Sequence, residues 1–446
     1  MEAQLIEKGI LVQSMATVAA MDIYVATTGD DDTGDGLVGN PYLTITRAYQ
    51  DVPYTLRHLV HIHVAAGAYT DWPELIRNTY ETGGRLSIDG TAAMADKAVG
   101  PYTVGGGAPV KLGDSVAYDV PVVGGGLTPG AWDGLFLEWL DGAQAGHICA
   151  IIENDATDVR IQGGWTVGGA GDKFKIVEPG VEVTLPAVTH AIEGDADGSE
   201  INVLALVGMK LIASTRVTIK AKCLTVTASI LDLEVVTTDD TKLDASYWGT
   251  ITSFIDVPIF VTGWGAAGVV TDVGGGGAVS CKGNCELYGL TFIRSVDTLK
   301  SNFRITACAI KSVANYGIDA YTGVATFTLA NVYIEAVVTK GAIQASYCGA
   351  LSIGGLYVQE GLAALHIKRM CGACTIAELG GVDANVTTAL LLINGSSLVI
   401  AAATCTLVGA TGAGTAVRWS SGAADSAYPA ANLLVSDALG AQVVGY

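Results

Sequence analysis

Phe303-Arg-Ile-Thr-Ala-Cys-Ala-Ile310, Phe327-Thr-Leu-Ala-Asn-Val-Tyr-Ile334 and Leu351-Ser-Ile-Gly-Gly-Leu-Tyr-Val358 are three copies of one template, apolar at its first, third, sixth and eighth places. Weaker copies follow at Cys374/Ile376/Leu379/Gly381 and Leu398/Ile400/Ala403/Cys405. The sixth-place residues Cys308, Val332, Leu356, Leu379 and Ala403 are separated by 24, 24, 23 and 24 residues. A fixed period of this size marks a stack of like units, each too small to bury its apolar face alone. Within each half of the template the alternation is that of a strand. The two-residue gap between the halves is a corner. A second, shorter strand completes each unit, as in Ile318-Asp319-Ala320, Ile343-Gln344-Ala345, Leu365-His366-Ile367, Leu390-Leu391-Leu392 and Val417-Arg418-Trp419. Three short strands per unit predict an all-β chain, a parallel β-helix of about 24 residues per coil.

Composition agrees with short strands and tight corners: 57 glycines, 15% charged residues and half the chain hydrophobic. So apolar a composition predicts that some flat faces are covered by partner subunits. Residues 384–417 carry no charge, but Asn394-Gly-Ser-Ser397 interrupts them and both flanks follow the strand template, which argues against a membrane span. The net charge of −20 argues against nucleic acid, whose phosphates need clustered cations. Met1-Glu2 opens without a basic, apolar leader, so the expectation is synthesis in a cytoplasm.

The start of the chain carries a more specific pattern. Asp22-Ile-Tyr-Val25 leads into the acidic loop Gly29-Asp-Asp-Asp-Thr-Gly-Asp-Gly36, then Asn40-Pro-Tyr-Leu-Thr-Ile45 and Ala48. Val60-His-Ile-His-Val64 closed by Gly67-Ala-Tyr69, and then Leu86-Ser-Ile-Asp-Gly90, continue it. This order resembles the opening of pectin-lyase-like right-handed parallel β-helices, with residues 41–58 as the cap over the open end of the core. A second pattern runs through Trp132, Leu135-Phe-Leu-Glu138, Gly142-Ala-Gln-Ala-Gly146, Ile151-Ile-Glu-Asn154 and Gly171-Asp172 to Ile176. It resembles a small all-β module of bacteriophage virion proteins, and Gly105–Gly107 and Gly124–Gly126 read as its connections.

Together these resemble bacteriophage tailspike and tail-fibre proteins. The resemblance implies a homotrimer in the virion, joined to other virion proteins through residues 1–21 and in some cases attaching to host surface polysaccharide. The expected organisation is an attachment segment at 1–21, a cap with the first coils at 22–99, an inserted β module at 100–185 and further coils at 186–446. Neither a cofactor nor membrane insertion is expected.

Many such spikes cut polysaccharide with two carboxylates. Here one outward column reads Lys311, Glu335, Gln359 and another Asp319, Gln344, His366, Leu391, Arg418, so neither places two carboxylates on adjacent coils. Asp319 and Glu335 are the nearest catalytic candidates, against solvated surface charges as the favoured reading. The chain also ends at Tyr446, soon after the last copy, which leans the expectation toward a structural or adhesive role, with a depolymerase as the alternative. Tyr333 and Tyr357 share a column and are candidates for sugar stacking, with packing or an interface favoured over it.

Asp30, Asp32 and Asp35 are candidate oxygen ligands for a hard cation. A turn is favoured, because no twelfth-position Glu completes an EF-hand order. Cys285, Cys308, Cys374 and Cys405 fall on inward places, where a thiol packs as a small hydrophobe. Cys348 and Cys371 occupy equivalent places on successive coils, within reach of a disulfide; cytoplasmic synthesis favours reduced thiols and a released virion the bond.

Overall fold

The computed structural model of the 446-residue chain describes residues 16–73, 75, 79–80, 84–90, 94–98, 100–113, 115–163, 167–185, 192–193, 201–239, 242–244, 268–271, 279–282, 285–293, 296–299, 302–312, 316–321, 326–336, 342–346, 349–368, 373–379, 382–394, 399–400, 406–407, 415–420 and 443–445. The protein is all-β. Among the described residues the helices are Ile45–Gln50 and the 3-10 turn Gly142–Gln144. None is long and apolar enough to cross a membrane.

Most strands belong to one 27-stranded sheet whose pairings are parallel and fall into three columns. In the first column Val60, Leu86, Leu204, Leu224, Leu243, Leu287, Ile305, Leu329, Ile353 and Ile376 stand in register, one above the next. The second column stacks Tyr69, Val183, Leu211, Leu231, Val270, Phe292, Ile310, Ile334, Val358 and Val382. The third stacks Val217, Val236, Val279, Val296, Ile318, Ile343, Leu365, Leu391, Val417 and Val443. Leu204, Leu287, Ile305, Phe292, Ile334, Ile318 and Ile343 from all three columns share one buried core. Alternation accounts for why these residues, two apart along their strands, enter that core, and the parallel register sets the paired positions one above the next.

The corner between the first and second columns has a backbone signature. Gly208, Ala228, Gly289, Ala307, Asn331 and Gly355 all have φ between 48° and 75°, the left-handed region. These positions are the two-residue gap of the template. Half are glycine, for which this conformation carries no Cβ penalty; Ala and Asn hold it against a cost of about 1–2 kcal/mol, outweighed by the strands they join.

The register also corrects the sequence reading. The stacking runs on both sides of the repeat that opens at Phe303: Cys285 pairs with Phe303, and the strands of the first column reach back to Met21–Val25. Irregularities at Ile353/Gly354 and Gly361/Ala363 shift the later copies. After the second of these, His366 faces Leu392 rather than Leu391, and one strand pair further on Cys374 faces Ile400 rather than Leu398.

Thr44 caps the helix Ile45–Gln50, its side chain accepting from the Arg47 amide, and Ile45 and Ala48 are buried in the core. A second, eight-stranded antiparallel sheet spans residues 94–179. Its order is Met94–Asp96, Lys173–Pro179, Phe136–Trp139, Ile148–Asn154, Asp158–Gln162, Ala117–Pro121 and Val110–Lys111, with Tyr102–Thr103 also on Lys173–Pro179. The module is thus bounded at 94 and 179, not 100 and 185. Met94–Asp96 pairs with Lys173–Pro179, whereas Val181–Thr184 pairs parallel with Gly67–Tyr69 and sends Val181 and Val183 into the main core. Gly106 and Gly124–Gly126 are left-handed turn residues inside the module, next to the Val104–Val122 bridge, rather than connections to it.

Candidate functional site

The strand Ile148–Asn154 shows why the module must dock. Ile148, Cys149, Ala150, Ile151 and Ile152 are all buried, so both faces of this strand are covered. Cys149 and Ile151 lie in the module's own core with Trp139, Phe174 and Ile161. Phe136, Ile148, Ala150 and Val177 turn the other way, onto Ala228 and Ile230 of the main sheet. Ala117 and Ile152 do the same onto Ala309 and Tyr333. The module therefore covers the outward face of the second column.

Hydrogen bonds fix the placement. Gln162, buried in the module, donates from Nε2 to the Ala307 carbonyl at 2.7 Å, and its Oε1 accepts from the Thr291 hydroxyl. The Ala307 corner thus gains a side-chain partner from a strand 145 residues away.

Beside this contact lies a cluster of charges from both parts of the chain. Arg160 donates to Asp119 through Nε at 2.7 Å and Nη2 at 3.3 Å, to Glu153, and through Nη1 to the Tyr333 hydroxyl at 2.9 Å. Lys311, on the main sheet, donates to Asp133 at 3.0 Å and Glu153 at 2.9 Å. The Tyr333 hydroxyl donates to Glu335 at 3.1 Å. Arg160 and Lys311 approach the Glu335 carboxyl at 3.8 and 4.0 Å. The side chains of Arg160 and Glu335 are each 14% exposed.

Burial separates the two glutamates. For Glu335 desolvation dominates and the Glu153 charge adds to it, raising its pKa to about 7. Glu153 also feels desolvation, but Arg160 and Lys311 outweigh it and hold its carboxyl below the usual range. Burial works against the Lys311 ammonium too, and Glu335, Glu153 and Asp133 reverse it. Desolvation lifts the Tyr333 phenol well above its ordinary value, so it stays a neutral donor. A carboxyl pair pushed apart in this way is one arrangement that supplies an acid and a base. It is equally the arrangement of a buried ion network that locks two parts of a chain together.

Of the sequence candidates, Glu335 lies in this network. Tyr333 is fully buried beneath the module, so its ring offers no open face to a sugar within this chain. Tyr357 is stacked on Tyr333 with centroids 6.0 Å apart and is partly buried. Asp319 stands apart in the third column, where its carboxylate accepts from Gln344 Nε2 at 2.9 Å. There the register overturns one expectation: Asp297 is paired with Asp319, so two acidic residues do occupy adjacent strands. Glu335 is likewise paired with Glu360, because a shift at Ile334/Glu335 displaces Gln359 from the column.

In the acidic loop Asp30 and Asp35 turn their carboxylates onto nearby backbone amides. Asp30 accepts from the amides of Asp32 and Thr33 at 2.8 and 2.9 Å, and the Thr33 amide leads in holding its pKa down. Asp35 accepts from the Leu37 amide at 3.0 Å. Asp31, which was not a candidate, joins the loop to the helix cap through the amides of Leu43 and Thr44 and the Thr44 hydroxyl. These bonds make Asp30 and Asp35 turn-forming acceptors through their Oδ1 atoms. Cys308 is buried in the core, its thiol donating to the Thr306 carbonyl at 3.3 Å, and Cys149 is buried in the module. Cys348, Cys371 and Cys405 lie outside the described residues.

Sequence reasoning missed Arg160, Glu153, Asp119 and Asp133. Their signal was present but split: Glu153 and Arg160 interrupt apolar module strands, while Lys311 and Glu335 interrupt the repeat.

No protein-family model matches the chain, and no curated protein matches it in sequence. Among solved structures, a chain described as a glycoside hydrolase aligns over 89% of this chain and 96% of that one, at a TM-score of 0.26 and 9% identity. A likeness at that score carries no argument about fold or activity.

Proposed function

We propose that the three columns are the faces of a right-handed parallel β-helix and that the chain is a structural bacteriophage virion appendage. In this reading it is a spike, fibre or decoration protein, trimeric in the particle and attached to other virion proteins through residues 1–21. The sequence patterns at 22–90 and 132–176 support the family, and the in-register parallel stacking supports the helix. One observation favours a structural role over catalysis. Tyr333 is fully buried under the module, and the Glu335 side chain, 14% exposed, lies against Arg160, Lys311 and the Tyr333 hydroxyl. An appendage must keep its shape under load, and a module fixed by apolar packing and a buried ion network serves that need.

The second reading is a polysaccharide depolymerase on the same scaffold. It is favoured by the divergent ionisation of Glu335 and Glu153, which pairs a protonated carboxyl with an ionised one. The test is reducing-end release by the full chain from a panel of bacterial surface polysaccharides, with Glu335→Gln and Asp319→Asn in parallel. The structural reading expects no release from the wild type, and loss of particle incorporation when residues 1–20 are deleted. Release that Glu335→Gln abolishes would replace it with the depolymerase.

A further inference from the structure

The strand Leu59–Val64 buries Val60, Ile62 and Val64 and turns His61 and His63 to the opposite face. Parallel pairing with Met21–Val25 brings Asp22 beside His61 and Tyr24 beside His63. Pairing with Arg85–Asp89 brings Asp89 beside His63 on the other flank. The side chains then reach diagonally. His63 Nε2 lies 2.9 Å from Asp22 Oδ1, His61 Nδ1 lies 3.9 Å from the same oxygen, and His61 Nε2 lies 2.7 Å from Asp89 Oδ2. One ligand atom each from Asp22, His61 and His63 falls within 4.8 Å of the other two.

We propose that Asp22, His61 and His63 form a binding site for a divalent first-row transition metal ion of the zinc class. The donor set of two imidazoles and one carboxylate suits such ions better than calcium or magnesium, which prefer all-oxygen shells. Zinc bonds of about 2.0–2.1 Å in a tetrahedron place ligand atoms roughly 3.3 Å apart. The 2.9 Å pair therefore opens slightly and the 3.9 Å pair closes slightly, shifts within reach of side-chain rotation.

Asp89 sets up the ligand. As an acceptor from His61 Nε2–H it selects the tautomer with a lone pair on Nδ1, the nitrogen 3.9 Å from Asp22, which is the outer-shell arrangement typical of metal-bound histidine. Tyr24 stacks on His63 at 4.6 Å and 14°, and the two imidazoles lie 4.0 Å apart, so the rings are held before any ion arrives. Asp22 is 59% exposed, which leaves an entry path and a fourth position for water. The ion would join the first two strands of the stack next to its capped end.

The test is zinc titration of the full chain after treatment with chelator, by calorimetry and metal analysis, with cobalt absorption as a second readout of tetrahedral ligation. The expected result is one zinc per chain, with affinity reduced at least about tenfold in His63→Gln and in Asp22→Asn, and by about 10–100-fold in Asp89→Asn. His58→Gln, an exposed histidine on the same edge, should leave it unchanged. Asp22→Asn alters an exposed carboxylate, so its effect does not depend on whether the histidine variants fold. Failure to take up zinc stoichiometrically, or equal uptake in Asp22→Asn, overturns the proposal.

Discussion

Replacing Arg160 by Met keeps a long side chain and removes the cation that Asp119, Glu153 and Tyr333 share. Asp119, Glu153 and Glu335 are then left with Lys311 as the remaining cation of the cluster, at side-chain exposures of 30%, 25% and 14%. Removing one partner of a buried ion pair costs about 3–5 kcal/mol, because the remaining charge stays desolvated. The expected loss is of that size at pH 8 and smaller at pH 5, where Glu335, with its pKa at about 7, already carries a proton. The loss should also be local. Hydrogen exchange should quicken in Ile148–Asn154, Asp158–Gln162 and the Ala309–Lys311 face they cover, while Leu59–Val64 and Arg85–Asp89 keep their protection. Unchanged exchange in the module strands at pH 8 would refute the idea that this network holds the module in place.

Ala307→Gly should raise stability by about 0.5–1 kcal/mol, since relief at φ 54° exceeds the entropy glycine adds to the unfolded chain; the control Ala309→Gly, in a buried strand, should lower it in chemical denaturation. Glu335→Gln tests linkage. A carboxyl whose folded pKa is raised from its ordinary value to about 7 binds more protons folded than unfolded, so wild-type stability falls as pH rises across that window. The melting temperature of Glu335→Gln relative to wild type should therefore climb between about pH 5 and pH 8, and a flat difference would contradict the raised pKa.

The inward columns were legible because strand alternation writes them into the sequence. Phe303, Phe327 and Leu351, or Ile318, Ile343 and Leu365, stack as their spacing implies. The corner was legible too, as a two-residue gap whose left-handed Ala307, Asn331 and Gly355 give it a physical cause. What failed was register beyond Leu356, where irregularities at Ile334/Glu335, Ile353/Gly354 and Gly361/Ala363 shift the pairing by a residue, so that Leu391 stands in the inward column rather than the outward one. Period counting cannot see a bulge, because alternation persists on both sides of it while the partner changes. The charge network was hidden for another reason: Glu153 and Arg160 meet Lys311 and Tyr333 across more than 150 residues. His61-Ile-His63 was read as part of a strand and nothing more, though outward histidines two apart on a strand must share a face.

In the proposed structural reading the module seals the second column of the parallel stack over Tyr333 and leaves the Glu335 side chain 14% exposed. A side-chain-resolution density map of the full chain in its assembled form tests it most directly. The expected map shows residues 148–162 over Ala309 and Tyr333, with Arg160 bridging Asp119, Glu153 and Tyr333. A map with an open groove at that face, and the Glu153 and Glu335 carboxyls turned to solvent about 5–10 Å apart, would contradict it.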